Sequence, residues 1–323
     1  MSENWLRQCY VSLSGSKTGG SDKVVSGGGP NDLRVRFQVI SSTLQSLGSA
    51  EIIITNPSPN TVARVQQEFT QIALYAGYQD PGAALIFSGS ITETQWGEKE
   101  GGTDKLLRIW AADGDKGYNQ ARVSKTLAAG STPQTIVDAS LEALKPFGVT
   151  MGQVVGVDLS SPQFPRGYIL AGMARDYLRE VATTKKATFN LNGGKLNIVG
   201  RTAQGQSSGV TLNAQTGMIG QPIQTPQGII VQCLINPAIM VDSTVAIKSS
   251  SIIAPNVKDA SLRNEDADLQ TNLANQGATD GTYRVLHVEA EGDTRGPPWT
   301  MTLTCLGSVT GAPNIIQAGL GYA

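Results

Sequence analysis

Four places in this 323-residue chain combine residue types that could do chemistry. The first is SGSKT at 14–18, which has the look of a phosphate-binding loop. That loop needs G-x-x-x-x-G-K-[ST], but Ser16 rather than Gly precedes Lys17, and no helical pattern follows. The second is DGDKG at 113–117, the opening of a calcium loop. Gly117 stands where the third ligand is required and no Glu completes the set, so a turn after a strand is expected. The third is the sole histidine, His287, inside a strand pattern with Val285 and Glu289 on its own face. One His cannot build a His-rich zinc site, and no G-x-S-x-G elbow supplies a nucleophile beside it. It is expected to be a packed structural residue. The fourth is the cysteine set Cys9, Cys233 and Cys305, which contains no CxxC and is odd in number. No disulfide framework follows, and a reducing compartment is the simplest expectation. No pattern singles out a carboxylate pair for glycoside cleavage. The expectation is therefore no catalysis, no cofactor and no metal.

Interaction chemistry remains. Charged residues make up 16% of the chain, against about 25% in an average soluble domain. Lys plus Arg is 25 against 26 for Asp plus Glu, a net charge of −1. Nothing here would release counterions from a phosphate backbone, which argues against a dedicated nucleic-acid binder. So low a charge points to a surface covered by other chains. From Thr202 to Val241 the sequence has no Asp, Glu, Lys or Arg at all. Pro222, Pro226, Pro237 and several Gly break it, and its apolar runs are far shorter than the roughly 20 residues of a membrane helix. No membrane insertion is expected, and the amino terminus shows no signal-peptide pattern. Gln204, Gln206, Gln215, Gln221, Gln224 and Gln227 are too many amides for one monomer's core. Gln, Thr and Asn can be buried between subunits without desolvating a charge. Gln215, Met218, Ile219, Gln221, Gln224 and Gln227 are the candidate subunit-interface residues.

The elements that must position these residues are mostly strands. RQCYVSL, LRVRFQVI with its period of two, EIIIT, EFTQIALYAGY, ALIFSGSITETQW and DKLLRIWAA are separated by Gly, Asp and Pro turns. Ser14–Asp32 is expected to be a Gly/Ser-rich loop. The middle of the chain turns helical. STPQTIVDASLEALKPFG has a cap, an early Pro and an ending Pro-x-Gly. RGYILAGMARDYLREVATTKK places Ile169, Met173, Tyr177 and Val181 in one row and Leu170, Ala174 and Leu178 in the next. ATFNLNGGKLNIVG is a hairpin turning at Asn192-Gly193-Gly194. Residues 258–281 are polar and expected to be mobile or ordered by a partner. The last strand alternates most sharply. Trp299, Met301, Leu303 and Cys305 share one face with Thr300, Thr302 and Thr304 opposite, and Trp299, Met301 and Leu303 are the candidate barrel core. The fold class expected is mainly β (α+β). Residues 1–117 form a first antiparallel barrel, 118–200 a helix-containing insert and 201–323 a second barrel.

Six segments recur in a familiar order: ITNPSPN, AGYQDP, IFSGSIT, IWAADGDKGYN, TGMIGQPIQTPQGIIV and YRVLHVEAEGDTRGPPW. As an ordered set over residues 33–310 they resemble the tail-hub proteins of contractile phage tails, the late-control-D-like baseplate-hub family. The resemblance implies two tail-tube-type β-barrels per chain and a homotrimer whose six barrels mimic a hexameric tube ring, with the helical segment outside. It implies a virion location in the tail baseplate, after assembly in the host cytoplasm. The implied partners are the tail tube protein, the central spike protein and other baseplate proteins, with genomic DNA only passing through. Two alternatives stand beside it: a hexameric tail-tube or other ring-forming tail protein, and a peptidoglycan-cleaving tail enzyme. The Gly/Ser loop at 14–32 has no counterpart in the resemblance.

Overall fold

The computed structural model describes residues 6–15, 22–29, 31–43, 47–80, 82–98, 102–201, 203, 206–225, 228–247 and 281–307. The polar segment expected at 258–281 lies almost wholly outside them, as does Gln227. The chain divides into two compact units: Met1–Ala203 with Glu289–Trp299, and Gln204–Val288 with Thr300–Ala323.

Unit 1 opens with β1 (Arg7–Ser14), β2 (Lys23–Gly27), β3 (Val35–Ser42) and β4 (Ser49–Thr55). After α1 (Pro59–Gln67) come β5 (Gln71–Tyr78), β6 (Gly82–Glu98) and β7 (Lys105–Ala112). These strands lie in the order β3-β4-β7-β6-β5-β1-β2, and every neighbouring pair is antiparallel. The expected alternation sets the core. Val35, Phe37 and Val39 face Ile52, Ile54, Leu107 and Ile109 from the inner side, and all are buried. The 17-residue β6 pairs β5 over its first half and β7 over its second, so the sheet turns a corner along one strand. Gly89 makes that corner possible, because a Cβ there would stand 2.6 Å from the Ala112 carbonyl oxygen.

Two elements depart from the sequence expectation. β2 lies inside the supposed 14–32 loop, where Val24, Val25 and Ser26 pair with β1. Residues 59–67 form α1 although Pro57 and Pro59 stand at its amino end. Ser58 caps its amino end by accepting from the Thr61 N–H at 3.2 Å, and Pro59 sits in the first turn, where its missing donor costs nothing.

The rest of unit 1 carries the helices. They are α2 (Asp115–Gln120), β8 (Arg122–Leu127), α3 (Pro133–Leu144), β9 (Thr150–Val155), β10 (Tyr168–Met173), α4 (Ala174–Thr184), β11 (Ala187–Asn192) and β12 (Lys195–Gly200). Their buried apolar residues, from Ala121 to Ile198, form one hydrophobic cluster. The second helix is shorter than its periodicity suggested. Tyr168–Met173 is a strand paired with β8, which turns Ile169 outward at 70% exposure and buries Leu170. Helix periodicity and strand alternation both fit YILAGM. Tertiary pairing with β8, with Gly167 before the run and Gly172 inside it, decides for the strand. The DGDKG turn likewise runs into the short α2.

Unit 2 contains β13 (Gln206–Leu212), β14 (Met218–Thr225), β15 (Gly228–Leu234), β16 (Ser243–Ile247) and the larger parts of β17 (Gly281–Asp293) and β18 (Trp299–Gly307). β14, β15 and β18 are antiparallel neighbours, and β16 pairs antiparallel with β17. The antiparallel pairing expected of the two barrels has one exception among the described residues, β13–β16, and a second parallel pair, β9–β12, lies in the segment expected as the insert. Each is joined through intervening chain long enough for a crossover. The molecule is mainly β with large antiparallel sheets, as the sequence led us to expect.

Candidate interaction face

The strand sequences MIGQPIQT, GIIVQCL and WTMTLTCLG contain no charged residue, and β14, β15 and β18 hold them side by side. Alternation then sorts them into two faces. Ile229, Val231, Cys233, Met301, Leu303 and Cys305 point inward, each at 5% exposure or less. Burial pushes the Cys233 and Cys305 thiols up to about 12, so neither is an available nucleophile. Ile230 and Gln232 point outward from β15, opposite Thr304 and Thr302 of β18. On the other side Ile219 pairs with Gln232, and Ile223 with Ile230. The result is a face of Ile, Gln and Thr with no ionisable group. Ile219, Ile223 and Ile230 are 37%, 53% and 37% exposed, and Met240 of the same charge-free stretch is 53% exposed.

β14 is an edge strand. Between Ile219 and Ile223 its register slips against β15, and Gly220 takes the left-handed conformation (φ 68°) that the extra residues require. Pro222 sits in this bulge, buried, and contributes no N–H to the ladder. Bulge and proline together keep the edge from extending indiscriminately into another sheet, so the flat side of the three strands is the better binding surface.

The expected interface residues fall out as follows. Ile219 and Gln221 are exposed on β14, and Met218 is half-buried, paired with the inward-facing Cys233. Gln215 is exposed in the Asn213–Gly217 turn, where its N–H donates to Asn213 Oδ1 at 2.8 Å. Gln224 lies on β14 with its side chain outside the described residues, as is all of Gln227. Ile223, Ile230 and Gln232 were missed. The alternation within GIIVQCL, with Ile229, Val231 and Cys233 on one side, was the available signal. The three core candidates do not share one core. Trp299 is 1% exposed in unit 1, edge-to-face with Phe37 at 5.6 Å, whereas Met301 and Leu303 are buried in unit 2.

Around Trp299 the segment DTRGPPW is held by arginines. Arg34 forks onto Asp293 with Nε and Nη2 at 3.0 and 2.5 Å, and Arg7 donates to the Asp293 and Gly296 carbonyls beneath the Trp299 ring. Burial works to raise the Asp293 carboxyl. The hydrogen bonds from Arg34 and the Arg295 N–H, with the charges of Arg34 and Arg36, outweigh it and hold the group below its ordinary value. Among the described residues no three His, Cys, Asp or Glu gather as a metal site, and His287 is half-buried on β17.

No family model matches the chain, and no curated protein does. Solved structures do. The 43 kDa tail protein of prophage MuSo2 from Shewanella oneidensis superposes with a TM-score of 0.55 at 10% identity, covering 93% of this chain and 97% of its own. A tail protein from Neisseria meningitidis gives 0.52 at 9% identity, over 93% and 96%. The E. coli c3393 protein is described as a type VI secretion system component similar in structure to the T4 bacteriophage tail proteins gp27 and gp5. It gives 0.51 at 11% identity, over 90% and 78%. The likeness extends over nearly the whole chain, and what this protein shares with these tail and secretion-system proteins is their fold.

Proposed function

We propose that this protein is a structural hub subunit of a contractile phage tail or a related particle. Three copies form a ring that joins the hexameric tube to the central spike and leaves a channel for DNA. The observation that carries this proposal is the charge-free β14-β15-β18 face, with its exposed isoleucines, on a chain that has the fold of tail proteins. Such a face on a free monomer would invite association; in a ring it is buried, and its Gln and Thr side chains hydrogen-bond across the contact. The likeness to c3393, itself described as similar to the T4 bacteriophage tail proteins gp27 and gp5, supports a place for the chain among the tail proteins of such a particle. A near-neutral chain also suits a channel that must not retain phosphates. In this proposal residues 118–200 are the insert, in keeping with the hydrophobic cluster of Ala121–Ile198, and 1–117 and 201–323 are the ring-forming parts. No step of catalysis is assigned to it.

Electron microscopy of particles carrying an antibody-labelled copy of the chain tests this. The expected result is label at the junction of tube and spike, three copies per particle. Label along the length of the tube, or six copies, would make the chain a tube protein instead.

A further inference from the structure

The neutral face of unit 2 has a counterpart on unit 1. The outward side chains of β2, β1, β5 and the first half of β6 fall into cross-strand rows. Ser26, Tyr10, Tyr75 and Leu85 make one, and Val24, Ser12, Ala73 and Ser88 the next. None of these residues is charged. Arg7 starts on the other side of β1, over the Trp299 ring. At the centre the Tyr10 and Tyr75 rings stack with centroids 4.4 Å apart and planes 13° from parallel, both half-buried, while Val24 is 56% exposed. The same sheet's β3, β4 and β7 present a different outer surface, with Arg36, Glu51 and Arg108 on it and an Arg108–Glu51 contact at 4.0 Å. The charged and neutral sectors are thus separated on one sheet.

We propose that the neutral sector of unit 1 receives the neutral β14-β15-β18 face of unit 2 from a neighbouring copy, with the stacked Tyr10–Tyr75 pair as its anchor. This rests on the ring proposed above and adds which surfaces meet. The described outward side chains of the sector offer phosphates no cation, which argues against nucleic acid as the occupant. A charged partner would leave its own charges desolvated without a counter-charge. A second neutral β face has none of these mismatches: its isoleucines cover the tyrosine rings, and its Gln and Thr answer the Ser side chains. Two paired tyrosines are rigid and amphipathic, the properties that concentrate binding energy at a few positions. Because the two surfaces differ, the contact is head-to-tail, the kind that closes into a ring when the rotation between copies closes.

The test uses the full chain with Ser26→Cys and Gln232→Cys, singly and together, and a short bismaleimide. The native Cys9, Cys233 and Cys305 are buried and give the background. Covalent multimers from the double variant alone are expected. In parallel, Tyr75→Lys should remain folded by circular dichroism and associate at least tenfold more weakly. Ser12→Glu serves should the tyrosine variant fail to fold. Cross-linking by Ser26→Cys alone would mean that like faces meet, and would overturn the proposal. So would normal rings in both charge variants with no cross-link, which leaves the ring standing and removes this contact. Normal rings that no longer dock to tube protein would give the sector to the tube. A wild-type chain that forms no ring would overturn the ring and this contact together.

Discussion

Trp299 closes the inner side of unit 1 between the Phe37 ring and the Arg7 guanidinium, 5.5 Å above it. Trp299→Ala should cost about 3–5 kcal/mol, because the site is walled by a sheet that cannot collapse into the gap. Urea unfolding checks this, and a loss below about 1 kcal/mol would contradict it. In unit 2 the charges of Asp242 and Arg284 are bonded at 2.5 Å with 0% and 7% side-chain exposure. Removing one partner takes this counter-charge from a buried group, so Asp242→Ala should destabilise by about 3–5 kcal/mol, and the Asp242→Asn, Arg284→Met double change by less. Asp113 gives a pH signature. It is 3% exposed, accepts from the N–H groups of Gly193 and Gly194, and is pushed by burial from 3.8 up to about 7 despite those hydrogen bonds. A carboxyl whose folded pKa is raised stabilises the fold fully below its unfolded value, and that stability is lost as pH rises through the folded one. Stability should therefore fall between about pH 4 and 7 by up to a few kcal/mol. Asp113→Asn should flatten that slope in melts taken across the range, whatever it does to the absolute value. An unchanged slope would remove Asp113 as its source.

Among the elements, β15 depends on its first residue. Gly228 has φ 138°, and a Cβ there would lie 2.2 Å from the Cys305 carbonyl oxygen. Gly228→Ala should then cost on the order of 1–3 kcal/mol through strain against β18, seen as a lowered melting temperature. The long alternating strands and the Asn-Gly-Gly hairpin were legible in the sequence, since each has one local signal that tertiary structure does not contest. α3 was legible for the same reason. The front of α4 was not, because YILAGM satisfies both periods and its pairing with β8 is decided 45 residues away in sequence. The neutral face was legible in composition. Alternation within GIIVQCL could have sorted the outward Ile230 and Gln232 from the buried residues, but the slip at Gly220, where the run from Ile219 to Ile223 spans only Gln232 to Ile230 on β15, carries no such local signal.

At the scale of the whole molecule, a chain with 16% charged residues keeps them off two sheet faces, one on each unit. Folding stability does not require that arrangement, since outward Lys or Glu on a strand is tolerated in a monomer. The proposed ring does require it, because a charge trapped at a dry contact costs several kcal/mol. Native mass spectrometry of the wild type beside Gln232→Glu, at the middle of the β15 face, tests this most directly. The wild type should be a trimer. The variant should be a monomer that melts within a few degrees of the isolated wild-type chain. A wild-type monomer, or a variant that remains fully trimeric, would contradict the claim that this face is buried between copies.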